Sequence, residues 1–122
     1  MALYVDSFVT PMPKKNLATY RKVAKKAAKI FLEYGVLEYV ECEADDVPDG
    51  KVTSFPMAVK LKKDELVCFA YMVYRNRRHR DAVMKKVMAD PRLQGPEMMP
   101  FDGKRLIFGG FKPFVNVKQK KK

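Results

Sequence analysis

The chain has 122 residues, 48% of them hydrophobic, and a net charge of +11. This length makes one domain that can bury its own core without a disulfide or metal staple, and no apolar run approaches the ~18 residues of a membrane span. The positive charge bears on solubility and non-specific binding rather than on fold, and brings nucleic acid into consideration as a partner class.

In chain order, residues 3–9 read as a strand rich in β-branched and aromatic side chains, broken by Thr10-Pro11-Met12-Pro13. Residues 14–34 follow as a helix. Tyr20, Ala24, Ala27, Phe31 and Tyr34 recur at helical spacing, the lysines lie mostly opposite, and Gly35 is placed to end it. Residues 36–44 alternate as a second strand, with Leu37, Tyr39, Glu41 and Glu43 on one side and Val36, Val40, Cys42 and Ala44 on the other. Asp45, Asp46 and Asp49-Gly50 form an acidic turn, and residues 57–61 read as a short extra strand. Residues 66–74 are apolar without a break, the pattern of a strand buried on both faces. Asn76 is placed to cap a second helix, striped with Val83, Met84, Val87 and Met88, that runs to Asp90 before Pro91. Residues 91–103 are loop, Asp102-Gly103 is a second turn, and residues 104–111 make a last strand weakened at Gly109-Gly110.

Strand–helix–strand–strand–helix–strand is the ferredoxin-like βαββαβ arrangement, an α+β fold with both helices on one face of an antiparallel sheet. A strand apolar on both sides then leaves the other face as an exposed apolar patch, which soluble monomers rarely tolerate. A homodimer with the two sheets packed together is therefore expected. Residues 1–117 are expected to form the single domain and 118–122 a basic disordered tail. The opening Met1–Asp6 lacks the basic and apolar regions of a signal peptide. Cys42 and Cys68 fit neither zinc nor redox spacing, sit in apolar runs, and are expected as buried free thiols of a cytoplasmic protein.

Several segments together resemble a small bacterial family known as domain of unknown function 1428. They are Tyr4-Val5-Asp6-Ser7-Phe8, Val40-Glu41-Cys42, Asp45-Asp46-Val47-Pro48-Asp49-Gly50-Lys51-Val52-Thr53, Met57-Ala58-Val59-Lys60, Asp90-Pro91-Arg92 and Met99-Pro100-Phe101-Asp102-Gly103-Lys104-Arg105 with Gly109-Gly110-Phe111. The resemblance spans roughly residues 3–115. It implies the dimeric α+β barrel fold and no established activity.

Proteins of that fold often hold a cavity between sheet and helices, and some are cofactor-free monooxygenases. By this analogy the chain is expected to bind a small apolar or anionic molecule, with no cofactor and no metal. Asp6 and Glu41 are candidates for the polar group of such a cavity, since each carboxylate interrupts a strand and is costly to bury unpaired. Tyr71 is a candidate hydroxyl, and Lys51, Lys104 and Arg105, just past the two Asp-Gly turns, are candidates to clamp an anion. Arg105 has the competing role of pairing with an acidic residue of the Asp45–Asp49 loop. Two alternatives stand beside simple binding. One is a cofactor-independent, monooxygenase-like enzyme with Asp6 or a tyrosine directed inward. The other is a nucleic-acid-binding module using Lys14–Lys29, Arg75–Arg80 and the lysine tail. His79, among arginines at a helix start, is expected to be exposed and a poor general base.

Overall fold

The structure is a computed structural model and describes residues 3–120, so Met1, Ala2 and the Lys121-Lys122 end of the expected tail lie outside the described residues. The elements are β1 (Tyr4–Pro13), α1 (Leu17–Glu33), β2 (Glu38–Glu43), α2 (Phe55–Ala58), β3 (Glu65–Tyr74), α3 (Arg77–Ala89) and β4 (Ile107–Phe111). The four strands form one antiparallel sheet in the order β2-β3-β1-β4, the ferredoxin-like topology read from the sequence.

Strand alternation divides the side chains cleanly. On one face Tyr4, Ala70, Met72 and Tyr74 meet Phe31 of α1 and Val83 and Val87 of α3 in the main core, while Met12 and Cys68 pack with Tyr20 beside it. The second face is covered only at one corner, where Val59 is seated on Val9 and Val67. Along β3 this makes Ala70, Met72 and Tyr74 fully buried and leaves Phe69, Tyr71 and Val73 half-exposed. The expectation of burial on both faces is thus met on one face and only at a corner of the other. Cys68 is buried as expected, but Cys42 is exposed because its alternation points it to the open face. Met88 also departs from its expected place in the stripe and is 69% exposed.

β1 does not break at its prolines. It continues through Pro13, paired with β3 as far as Glu65. The Lys14 N–H bonds to the Asp64 carbonyl at 2.9 Å, which fixes the even-numbered residues of β1 as the donors to β3. Pro11 and Pro13 therefore direct their missing N–H groups to the other side, where β4 pairs only with Val5–Val9. The expected strand at 57–61 is instead the turn of helix α2 and its exit. Ser54 caps it by accepting the Met57 N–H at 3.1 Å, and Pro56 stands at its start. The last strand begins at Ile107, not 104, because Asp102 captures the preceding residues: its side chain accepts the Lys104 N–H and its carbonyl the Arg105 N–H. The two Asp-Gly turns thus differ. Gly50 sits at φ 72°, which favours glycine, whereas Asp102-Gly103 turns through the aspartate side chain.

Candidate functional site

Between the sheet, α1, α3 and the 94–106 segment lies an open cavity of about 730 Å³, with an adjoining space of about 400 Å³. Phe8, Phe31, Met72, Met84, Met99 and Leu106 wall both. The surface is mostly aromatic and thioether, a lining that adapts to differing apolar shapes.

Asp6 and Glu41 enter this mostly apolar space, one at each end, with Ser7, Arg80, Asp81 and Gln94 also on its wall. Asp6 projects from the covered face of β1. Asn76 fixes the start of α3 by accepting the His79 N–H at 2.8 Å, and this brings Arg80 over the sheet. Arg80 Nη1 donates to Asp6 Oδ1 at 2.5 Å and its Nε to Asp81 Oδ1 at 2.7 Å. The guanidinium stacks over the Tyr4 ring, 4.9 Å from the centroid. Tyr4 has room to lie there because residue 110 is glycine; a Cβ at that position collides with the Tyr4 phenol. Burial holds the Asp6 carboxyl above its ordinary pKa, against the opposing pull of Arg80. At the other end Glu41 accepts from the Tyr20 hydroxyl at 2.5 Å and the Tyr39 hydroxyl at 2.7 Å. Burial, reinforced by the Glu41 carboxylate, pushes both phenols far above their usual range and keeps them as donors.

Of the residues singled out in the sequence, Asp6 and Glu41 therefore line adjoining parts of one cavity. Tyr71 is on the opposite face of the sheet, donating to Glu38 at 3.1 Å. Lys51 and Lys104 are exposed in the two turns. Arg105 is saturated: its guanidinium forks onto Glu65 at 2.8 and 2.6 Å, bonds Asp102 at 2.9 Å and reaches the Lys60 carbonyl at 3.0 Å. Its partners are Glu65 and Asp102, not the Asp45–Asp49 loop, and the Arg105 bonds hold the Glu65 carboxyl below its ordinary pKa. His79 is half-buried rather than exposed, against the edge of Tyr74, with Nδ1 accepting the Arg75 N–H at 3.0 Å. Among the described residues no group of three His, Cys, Asp or Glu side chains is placed to share a metal ion, and no helix is long and apolar enough to cross a membrane.

Sequence reasoning missed Arg80, Tyr20 and Tyr39 as parts of the site. Arg80 left one signal: it precedes Val83, Met84 and Val87 by three, four and seven positions, and so stands on the apolar stripe of its helix.

The family described as "Protein of unknown function (DUF1428)" matches residues 3–103. The uncharacterized protein YbaA of Escherichia coli K12 is 50% identical over 114 residues, covering 93% of this chain and 97% of that protein, and YbaA of Shigella flexneri matches equally. Among solved structures, a dimeric ferredoxin-like protein from an uncultured marine organism aligns with a TM-score of 0.60 at 10% identity, over 98% of this chain and 100% of its own. SnoaB, a cofactor-independent oxygenase from Streptomyces nogalater, aligns with a TM-score of 0.56 at 14% identity, over 97% of each chain. These two structural likenesses carry the ferredoxin-like fold.

Proposed function

We propose that this chain, which belongs to the DUF1428 family, binds a small, mostly apolar molecule between its sheet and helices and works as a homodimer. The observation that carries the binding reading is the apolar cavity of about 730 Å³ with the Asp6–Arg80 pair on its wall. Few polar groups converging in an apolar cleft are what small-molecule sites share. Arg80 keeps capacity for a ligand: its Nη1 and Nε are engaged, while its Nη2 bonds no group among the described residues.

The homodimer is supported by the second sheet face, where Phe69, Tyr71, Val73 and Val40 stand half-exposed and Phe111 is 60% exposed. The related ferredoxin-like structure is itself described as dimeric. Nucleic acid fits this face poorly, since no strand carries a lysine or arginine to meet phosphate. Lys22, Lys25, Lys26 and Lys29 instead border a shallow groove on the outer side of α1.

Asp6 favours a second reading, a cofactor-independent enzyme. A carboxyl held above its ordinary pKa in an apolar cavity can take a proton from a bound substrate, and SnoaB, of the same fold, is described as such an oxygenase.

Native mass spectrometry of gently purified protein tests the binding reading. A dimer carrying an adduct of small-molecule mass is expected, and Met72→Trp, which puts a bulky ring into the wall shared by both parts of the cavity, is expected to lose the adduct and keep the dimer. An adduct that survives Met72→Trp is bound elsewhere and overturns the assignment. A monomer at all salt concentrations overturns the homodimer. Oxygen uptake with the released adduct, abolished by Asp6→Asn, separates the enzyme from the binder.

A further inference from the structure

The half-buried and buried carboxylates of this protein have arginines, with one exception. Asp6 is bound to Arg80, Glu65 to Arg105 and Asp90 to Arg92, and even the more exposed Glu43 is met by Arg21. Glu41 alone of this set, half-buried where β2 faces α1, takes part in no ion pair among the described residues. Among the described residues its hydrogen-bond partners are the two phenols of Tyr20 and Tyr39. An ionised carboxylate offers about four lone-pair sites, so two remain for a ligand without displacing either tyrosine.

The surroundings of Glu41 specify what kind of cation fits. Tyr20, Tyr39, Phe31 and Phe101 line the same 400 Å³ space as Glu41. Phe31 and Tyr39 pack with centroids 5.0 Å apart, and Tyr20 and Phe101 meet edge to face at 5.9 Å. Four aromatic rings around one carboxylate suit an organic cation, whose diffuse charge is attracted to ring faces. A metal ion needs several oxygen, nitrogen or sulfur ligands, and Glu41 supplies the only carboxylate to this space. Lys25 borders the groove on the other side of Glu41 but makes no ion pair with it.

We infer that the Glu41 end of the cavity is a site for a small organic amine or ammonium ion, held by the Glu41 carboxylate and the rings of Tyr20, Tyr39, Phe31 and Phe101. The inference rests on the reading that the cavity takes a small molecule, and it adds the charge that molecule carries. The apolar body of the ligand then lies toward Met72, Met84 and Met99.

Calorimetric titration of the whole chain with benzyltrimethylammonium and with its neutral carbon isostere, neopentylbenzene, tests this. The cation is expected to bind at least ten-fold more tightly than the isostere. Glu41→Gln is expected to erase that preference while the isostere still binds as to wild type, which also reports that the variant's cavity is intact. Equal affinity of both probes for the wild type, or a preference that survives Glu41→Gln, overturns the cation site and leaves the cavity reading standing. Binding of neither probe to the wild type overturns both. A rise of ten-fold or more in cation affinity in Lys25→Ala marks Lys25 as the native counter-ion of Glu41 and likewise overturns the inference.

Discussion

The two faces of the sheet have exchanged the usual distribution of polarity. The face covered by α1 and α3 holds Asp6, Glu41 and the tyrosines that bond to it, all within reach of the cavity. The face left open carries Val5, Val40, Phe69, Val73 and Phe111, with Glu38 as its exposed charge. In an ordinary half-covered antiparallel sheet the open face is the polar one. The inversion separates two tasks: the covered face spends its burial on placing a few polar groups, and the open face is the one assigned to the proposed homodimer.

The strongest way to break this contrast is to charge the open face. Val73→Lys is expected to abolish the dimer, read as a halving of mass by light scattering, while the far-ultraviolet circular dichroism stays native. A dimer that persists shows that another surface makes it. The same face-to-face logic predicts a large stability effect from the covered side. Phe31→Ala, which removes a buried ring from the main core, is expected to cost about 3 kcal/mol by urea denaturation. A cost near zero means that the α1 packing is not what holds the sheet.

The two thiols sharpen the comparison. Cys68, on the covered face, is pushed up to about 11 by burial, whereas Cys42 is exposed on the open one. In Val73→Lys, Cys42 is expected to react with a disulfide reagent at least ~100-fold faster than Cys68, since only the thiolate attacks. In the dimeric wild type the Cys42 rate is expected to fall, and unchanged labelling removes Cys42 from the interface.

The smallest expected effects are opposite slopes with pH. Glu65, at the corner of the open face, has a folded pKa below its ordinary value because of Arg105. Its stabilisation is present above about pH 4.3 and is lost as pH falls through that lower value. Asp6, on the covered face, is raised by burial. Its stabilisation is present below about pH 3.9 and is lost as pH rises through the raised value. The stability difference between wild type and Glu65→Gln should therefore grow with rising pH, and that between wild type and Asp6→Asn should shrink. Parallel slopes contradict the assigned environments.

Much of the frame was legible because its signals are local. The helical stripe from Tyr20 to Phe31, the Asn76 cap, the stop at Pro91 and the alternation of Glu38–Glu43 each depend on residues a few positions apart. The topology followed from their order. The candidate site was half legible: Asp6 and Glu41 stood out as carboxylates inside strands, but their partners did not. Arg80 is 74 positions from Asp6, and Tyr20 is 21 from Glu41, distances that only the assembled sheet closes. The prolines of β1 misled for a related reason. Proline argues against a strand only where its N–H is needed, and which side of β1 has a neighbour is settled by β4, at the far end of the chain.

Those prolines carry one more consequence. Beyond Val9, β1 has no strand on its second side, yet Thr10, Pro11 and Met12 are fully buried there, where an unmet N–H is costly. Pro11 and Pro13 leave that border without donors where Thr10, Met12 and Lys14 give theirs inward. The sequence that looked like a strand's end lets the chain run a long strand into a packed interior beside β3 with no orphaned N–H on its unpaired side.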